Sequence, residues 1–406
     1  MRTSSRFAVL LVALASALPW NAFAGDVFTR ITDLRPGIQS GVPRLSGLAH
    51  DDAFWFIGTL DDFDTRIYRY DGVNPPVEQV GTNVNPDELV RFGGEFVFRG
   101  GGLSDRELWR WNGVSAPTEA FDLLGSGSGF PEELTVVGDE LCFDGFTPQG
   151  HELVCWDGLT TPTTFDIWTG SNGSDPDYLA AVGGKLYFEA HEPVFGGEPR
   201  VYDGAGAPAL LADVRPGTGA TLAQGFVEYE GDLYFAANEG SGQQHLFRKP
   251  PALPPVLDPN GLAVRGELAV HAGALFFPGF EEGDDSVYLH RYKDDVLNRL
   301  QPAIYYADGF LPFANALYFV AGDATIDRDI WRWCGSESVE LVSDGFASNQ
   351  AWIGEGGLVP LGGKLLLAAN DGQGTGNELW SLAPMTAIFC SGFLPGDSSE
   401  WSAVVP

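Results

Sequence analysis

The sequence predicts an all-β chain, an eight-bladed β-propeller of four-stranded antiparallel blades. Three observations carry this expectation. Short aromatic strands recur every 42–48 residues, tight Gly-Gly and Asp-Gly or Asn-Gly turns sit at fixed offsets within each repeat, and Gly and Pro (53 and 27 of 406 residues) punctuate a chain that is 44% hydrophobic. A period in this range marks one array rather than separate domains, because each unit hides its apolar faces against its neighbours.

In chain order, Arg2 and Arg6 precede an apolar run from Phe7 to Leu18, and Ala22-Phe23-Ala24 stands before Gly25. This pattern reads as a secretory signal over residues 1–24, with an apolar core too short to span a membrane. The mature chain is therefore expected outside the cytoplasm: secreted, periplasmic or on the cell surface. No later stretch approaches the ~18–20 continuous apolar residues of a membrane helix.

The repeats are expected over residues 25–384. Their second strands end at Phe56, Phe98, Phe143, Phe188, Phe235, Phe277, Phe319 and Leu367. Runs such as Phe96-Val97-Phe98 and Leu275-Phe276-Phe277 are apolar on both faces, which suits strands packed between two sheets. Within a repeat, an inner strand leads through a Gly-Gly turn into this second strand. A polar loop, a third strand, an Asp-Gly or Asn-Gly hairpin (Asp71-Gly72, Asn112-Gly113, Asp157-Gly158, Asp203-Gly204) and an outer strand follow.

The last repeat lacks an outer strand of its own after Glu378-Leu379-Trp380. At the mature N-terminus, Thr32-Asp33-Leu34-Arg35-Pro36-Gly37 nearly duplicates Ala212-Asp213-Val214-Arg215-Pro216-Gly217, which ends an outer strand. The N-terminal segment is therefore expected to supply the missing strand of the last blade and remove an open sheet edge.

The third strands, Glu107-Leu108-Trp109-Arg110-Trp111-Asn112-Gly113, Glu152-Leu153-Val154-Cys155-Trp156-Asp157-Gly158 and Glu378-Leu379-Trp380, carry a motif. They resemble the Glu-Leu-Trp-x-x-Asp-Gly-Thr repeats of secreted bacterial proteins, with the final Thr missing throughout. The resemblance covers about residues 27–384 and implies a propeller-like fold and export, with no defined activity. The tail, residues 385–406, is similar to the Gly-Phe-x-x-Gly-Asp…Trp ending of some exported bacterial proteins, through Gly392-Phe393, Gly396-Asp397 and Trp401.

Four cysteines in an exported chain suggest two disulfides, and four cysteines allow three pairings. Cys142 and Cys155 flank one strand-loop-strand unit and are expected to pair, leaving Cys334 and Cys390 to tether the tail.

A formal charge of −32, from 55 acidic and 23 basic residues, disfavours nucleic acid and anionic membranes as partners. In a four-stranded meander the long connections share one face, and here that face is acidic. Asp61, Asp62 and Asp64, with Asp323, Asp327 and Asp329, are candidate Ca²⁺ ligands, because that ion takes several oxygens in flexible geometry. Trp168, Tyr305, Tyr306 and Trp352 are candidate ligand contacts beside them. No Gly-x-Ser-x-Gly elbow, His-Glu-x-x-His motif or phosphate-binding loop occurs, and the six histidines are dispersed. His151 with Asp144 and His191 with Glu192 are the nearest approaches to a functional pair. The function expected from sequence is a monomeric binding module that recognises protein or carbohydrate through this acidic face. The alternatives are a secreted glycan hydrolase using paired loop carboxylates and a purely structural surface protein.

Overall fold

A computed structural model describes residues 27–383, except 37–38, 62–63, 82–83, 103, 252–255, 258–261, 281–285, 323–327, 344–351, 354–355 and 372–375. All regular structure among the described residues is strand, with no helix, arranged as seven antiparallel sheets. Five of these sheets have four strands each, joined in chain order. One runs Asp87–Phe92, Glu95–Gly102, Asp105–Trp111 and Thr118–Phe121. Gly93 and Gly94, at φ +57° and +80°, make the first turn of that sheet, a conformation that costs a Cβ-bearing residue more. At the second hairpin the Asn112 side chain accepts the Val114 and Ser115 N–H groups, both at 2.9 Å, and Asp71 and Asp157 cap the equivalent turns in the same way.

Each sheet buries both faces. Phe96, Val97 and Phe98 are almost wholly inaccessible, and Phe96 and Phe98 share one apolar cluster with Ile57 and Ile67 of the preceding sheet. Cys142 and Leu153 likewise pack on Leu186 and Phe188 of the following sheet. Burying one such side chain stabilises by roughly 1.5–3 kcal/mol, so the second strands anchor the structure. Inner strands touch inner strands in succession, from Gly47–His50 through Asp87–Phe92, Glu132–Val137, Asp177–Val182 and Gln224–Tyr229 to Ala269–His271. Gly47–His50 also contacts Val359–Leu361, late in the chain.

Two features depart from a uniform set of eight separate blades. Ala263–Val264 pairs with His245 on one side and with Gly279 and Phe280 on the other, which fuses two units into one nine-stranded sheet. A segment between two repeats thus hydrogen-bonds to both its neighbours. The other departure is a recurring bulge near the start of the inner strand. Register slips between Asp87 and Val90, Glu132 and Thr135, Asp177 and Ala180, Gln224 and Val227, and Asp308 and Leu311.

At the N-terminus, Val27–Arg30 lies antiparallel to Glu378–Ala383, with Val27 opposite Ala383 and Arg30 opposite Trp380. The buried Glu378 carboxylate accepts Thr32 Oγ1 at 2.7 Å, the Leu34 N–H at 3.1 Å and the Gly41 N–H at 3.2 Å. Glu198 accepts the Val214 and Arg215 N–H groups, each at 2.9 Å. The duplicated segments noted in the sequence are thus gripped by equivalent glutamates.

Cys142 and Cys155 are bonded and stand directly opposite each other in their hairpin. Cys334 is also in a disulfide, whereas Cys390, the tail and residues 1–24 lie outside the described residues.

Candidate functional site

In six units one repeat-equivalent residue adopts left-handed backbone near the start of the inner strand. Glu88, Glu133 and Tyr178 have φ of 49°, 58° and 59°, and Gly225, Gly309 and Gly357 follow at 67°, 62° and 67°. For the first three the conformation is unfavourable, which makes the position notable. Glu88, Glu133 and Tyr178 line a cavity of about 370 Å³ with Ser46, Leu89, Val90, Leu134, Thr135 and Leu179, all at or near the inner strands.

The glutamates tie each unit to the next. Glu133 accepts the Leu179 N–H at 2.7 Å, Glu88 the Leu134 N–H at 3.4 Å, and Glu267, at the same repeat position, the Gly309 N–H at 3.0 Å. Burial is the main cause that raises all three carboxyls, and Glu133 is pushed up to about 7 with the help of neighbouring Asp177. A protonated carboxyl beside the cavity is a hydrogen-bond donor as well as an acceptor.

A second cavity, of about 480 Å³, adjoins the first through Ser46. Arg44, Arg99 and Arg106 line it around Asp87, whose carboxylate lies 2.5 Å from Arg44 and 2.7 Å from Arg99. Burial would raise Asp87, but these guanidinium groups hold it below the ordinary carboxylate range.

The residues expected from sequence are distributed differently. Asp61 and Asp64 stand opposite each other in adjacent strands, but Asp64 grips Arg66 at 2.6 and 2.9 Å, and that hydrogen bond lowers its pKa. Asp329 is buried in a third strand of another sheet, and Asp62, Asp323 and Asp327 lie outside the described residues. No group of three or more His, Cys, Asp or Glu side chains among the described residues is placed to hold a metal ion. Trp168 is half-buried in a loop whose N–H groups are held by Glu152. Tyr305 and Tyr306 open an inner strand and Trp352 pairs with Asn370, and for these three only the backbone is described.

Three histidines meet carboxylates among the described residues, His50 Nε2 with Asp51 at 3.1 Å, His151 Nδ1 with Asp144 at 2.8 Å and His245 Nδ1 with Glu239 at 3.0 Å. In the last case the nearby Ser241 hydroxyl donates to the Gln243 carbonyl at 3.2 Å, not to the imidazole. Base catalysis needs the imidazole between hydroxyl and carboxylate, so this is not a nucleophile-activating arrangement. His191 is not hydrogen-bonded to Glu192, which pairs with Arg200 at 2.7 Å.

Sequence reasoning missed the arginine cavity and the bulge. Glycine at positions 225, 309 and 357, ten residues before the ends of their second strands, is the signal that would have located the bulge.

No protein-family model and no curated protein matches this chain. Solved structures do. A puromycin-hydrolyzing peptidase of Mycobacterium tuberculosis is similar at a TM-score of 0.53 and 14% identity, over 87% of this chain and 61% of that one. The computationally designed Ika8 protein also has a TM-score of 0.53 and 14% identity, over 85% of this chain and 98% of that one. The β-propeller domain of the trilobed protease of Pyrococcus furiosus has a TM-score of 0.47 and 13% identity, over 74% and 97%. This chain therefore spans about three-fifths of the first peptidase, and at such identities the likeness concerns the fold. Because the first of these structures is a peptidase, the expectation of a protein- or carbohydrate-binding module working through acidic loops is corrected, as is its glycan-hydrolase alternative. The geometry agrees, since Asp64 is committed to Arg66 and Asp329 is buried.

Proposed function

We propose that this chain works as the propeller of a peptidase, admitting peptides along its inner strands to a hydrolytic centre carried elsewhere. The observation that carries the reading is the fold likeness to a peptidase that extends over 87% of this chain but 61% of that one. Two features agree with it. None of the three His–carboxylate pairs among the described residues has a serine hydroxyl on its imidazole, and the first cavity lies along the inner strands Asp87–Phe92, Glu132–Val137 and Asp177–Val182.

Within this reading the propeller has eight blades, and its N-terminal strand completes the last. The fused sheet divides at Ala263–Val264 into two units, each with its own four strands, and the pairing of Val27–Arg30 with Glu378–Ala383 supports the closure. Export, removal of residues 1–24 and a tail tethered through Cys390 belong to the same proposal, on the sequence patterns that suggested them.

Photo-crosslinking tests the reading. Short peptides bearing a benzophenone are irradiated with the purified chain, and the adducts are mapped by mass spectrometry. Adducts concentrated on Leu89, Val90, Leu134 and Leu179 are expected. Adducts confined to the outer strands and hairpin tips would overturn the proposal.

A further inference from the structure

The cavity around Arg44, Arg99 and Arg106 runs against the composition of the chain. Acidic residues outnumber basic ones 55 to 23, yet three guanidinium groups from three separate segments line one space. Arg44 precedes the first inner strand, while Arg99 and Arg106 come from the second and third strands of the next unit.

Their commitments differ. Both terminal nitrogens of Arg99 are committed, to Asp87 at 2.7 Å, Glu132 at 2.5 Å and Glu88 at 3.5 Å, while its buried Nε has no hydrogen-bond partner among the described residues. Arg44 meets Asp87 through one nitrogen. Arg106 donates through Nη1 to the Asn85 carbonyl at 2.6 Å, while its Nη2 stands 4.0 Å from Asp87, beyond hydrogen-bond reach. A guanidinium carries five N–H donors, so most donors of Arg44 and Arg106 have no partner among the described residues. Asp87 already accepts Arg44, Arg99 and the Glu88 N–H, and Arg106 stands too far from it to add a fourth bond. The arginines also crowd one another: burial, then the charge of Arg99, lowers the pKa of Arg106.

We infer that this cavity binds a carboxylate carried by a ligand, received by Arg44 and Arg106 beside Asp87. The pairing is favoured because the planar guanidinium fork matches a carboxylate and charge-assisted hydrogen bonds are the stronger kind. The carboxylate belongs either to the C-terminus of a peptide or to a small free acid. The inference does not depend on the peptidase reading.

Isothermal titration of the full chain at low ionic strength tests it, with four probes: acetyl-trialanine with a free C-terminus, its C-terminal amide, acetate, and inorganic phosphate. Binding of the free acid with about tenfold loss for the amide is expected, as for removal of one charge-assisted hydrogen bond. Arg106→Gln and Arg44→Gln should each weaken the free acid by a similar factor, whereas Arg69→Gln should not. Arg44 is 44% exposed, so its variant reads binding even if Arg106→Gln perturbs its sheet, and Arg106→Lys gives a second check. Acetate binding as tightly as the tripeptide would assign the site to small acids, and tighter tripeptide binding would assign it to peptide C-termini. Equal affinity for acid and amide, no binding of any carboxylate, or phosphate binding more tightly than every carboxylate would overturn the inference.

Discussion

At the scale of single residues, the glutamates of this chain do structural work that their number conceals. Glu107, Glu133, Glu189 and Glu198 are each pushed up to about 7, in every case chiefly by burial. A carboxyl with a raised folded pKa binds more protons in the folded than in the unfolded chain between its ordinary value and the raised one. Stability therefore falls as pH rises through that window, from roughly 4.5 to 7. Thermal unfolding at about pH 5 should give a higher midpoint than at about pH 7.5, and Glu189→Gln should flatten the dependence. A midpoint that rises with pH over this range would contradict the assignment. The repeated Glu-Leu was legible in the sequence, but its role was not. The partners of Glu107, Glu152 and Glu198 lie 15–22 residues further on, where spacing alone does not reveal which N–H turns inward.

At the scale of elements, that grip predicts where the fold yields. Glu198→Ala leaves the Val214 and Arg215 N–H groups without their acceptor, at a cost of about 1–3 kcal/mol. Glu378→Ala should release residues 27–42 first, because Thr32, Leu34 and Gly41 all bond to that carboxylate. Hydrogen exchange should then show protection lost there while the second strands keep theirs; uniform loss would show that Glu378 holds no local unit. Phe143→Ala, at a fully buried second-strand position, should cost about 3–5 kcal/mol by denaturant unfolding. The second strands were readable because apolar character on both faces has one physical meaning, burial between sheets. The bulges were not, because Glu88, Glu133 and Tyr178 are residue types that rarely adopt positive φ, and only the glycines at 225, 309 and 357 mark the position. The Cys142–Cys155 pairing was readable because it closes a single hairpin.

At the scale of the whole molecule, the propeller acts as a filter under the proposed function. The inner strands and their two adjoining cavities present polar, partly protonated and cationic groups, whereas the hairpin tips expose isolated aliphatics such as Val73, Val114 and Leu159. The acidic loops that dominate the composition drew the sequence reading outward, because charge count is visible in a sequence and convergence is not. Arg44, Arg99 and Arg106 are scattered over 62 residues and meet only after two sheets have packed. The measurement that tests the account most directly is peptide hydrolysis by the chain isolated, through an affinity tag, with its natural associates from the cells that make it. Under the proposed function, short unstructured peptides should be cleaved, folded proteins little, and nothing by the described propeller alone. Absence of peptide cleavage in the isolated assembly, or cleavage of folded proteins as fast as of peptides, would contradict it.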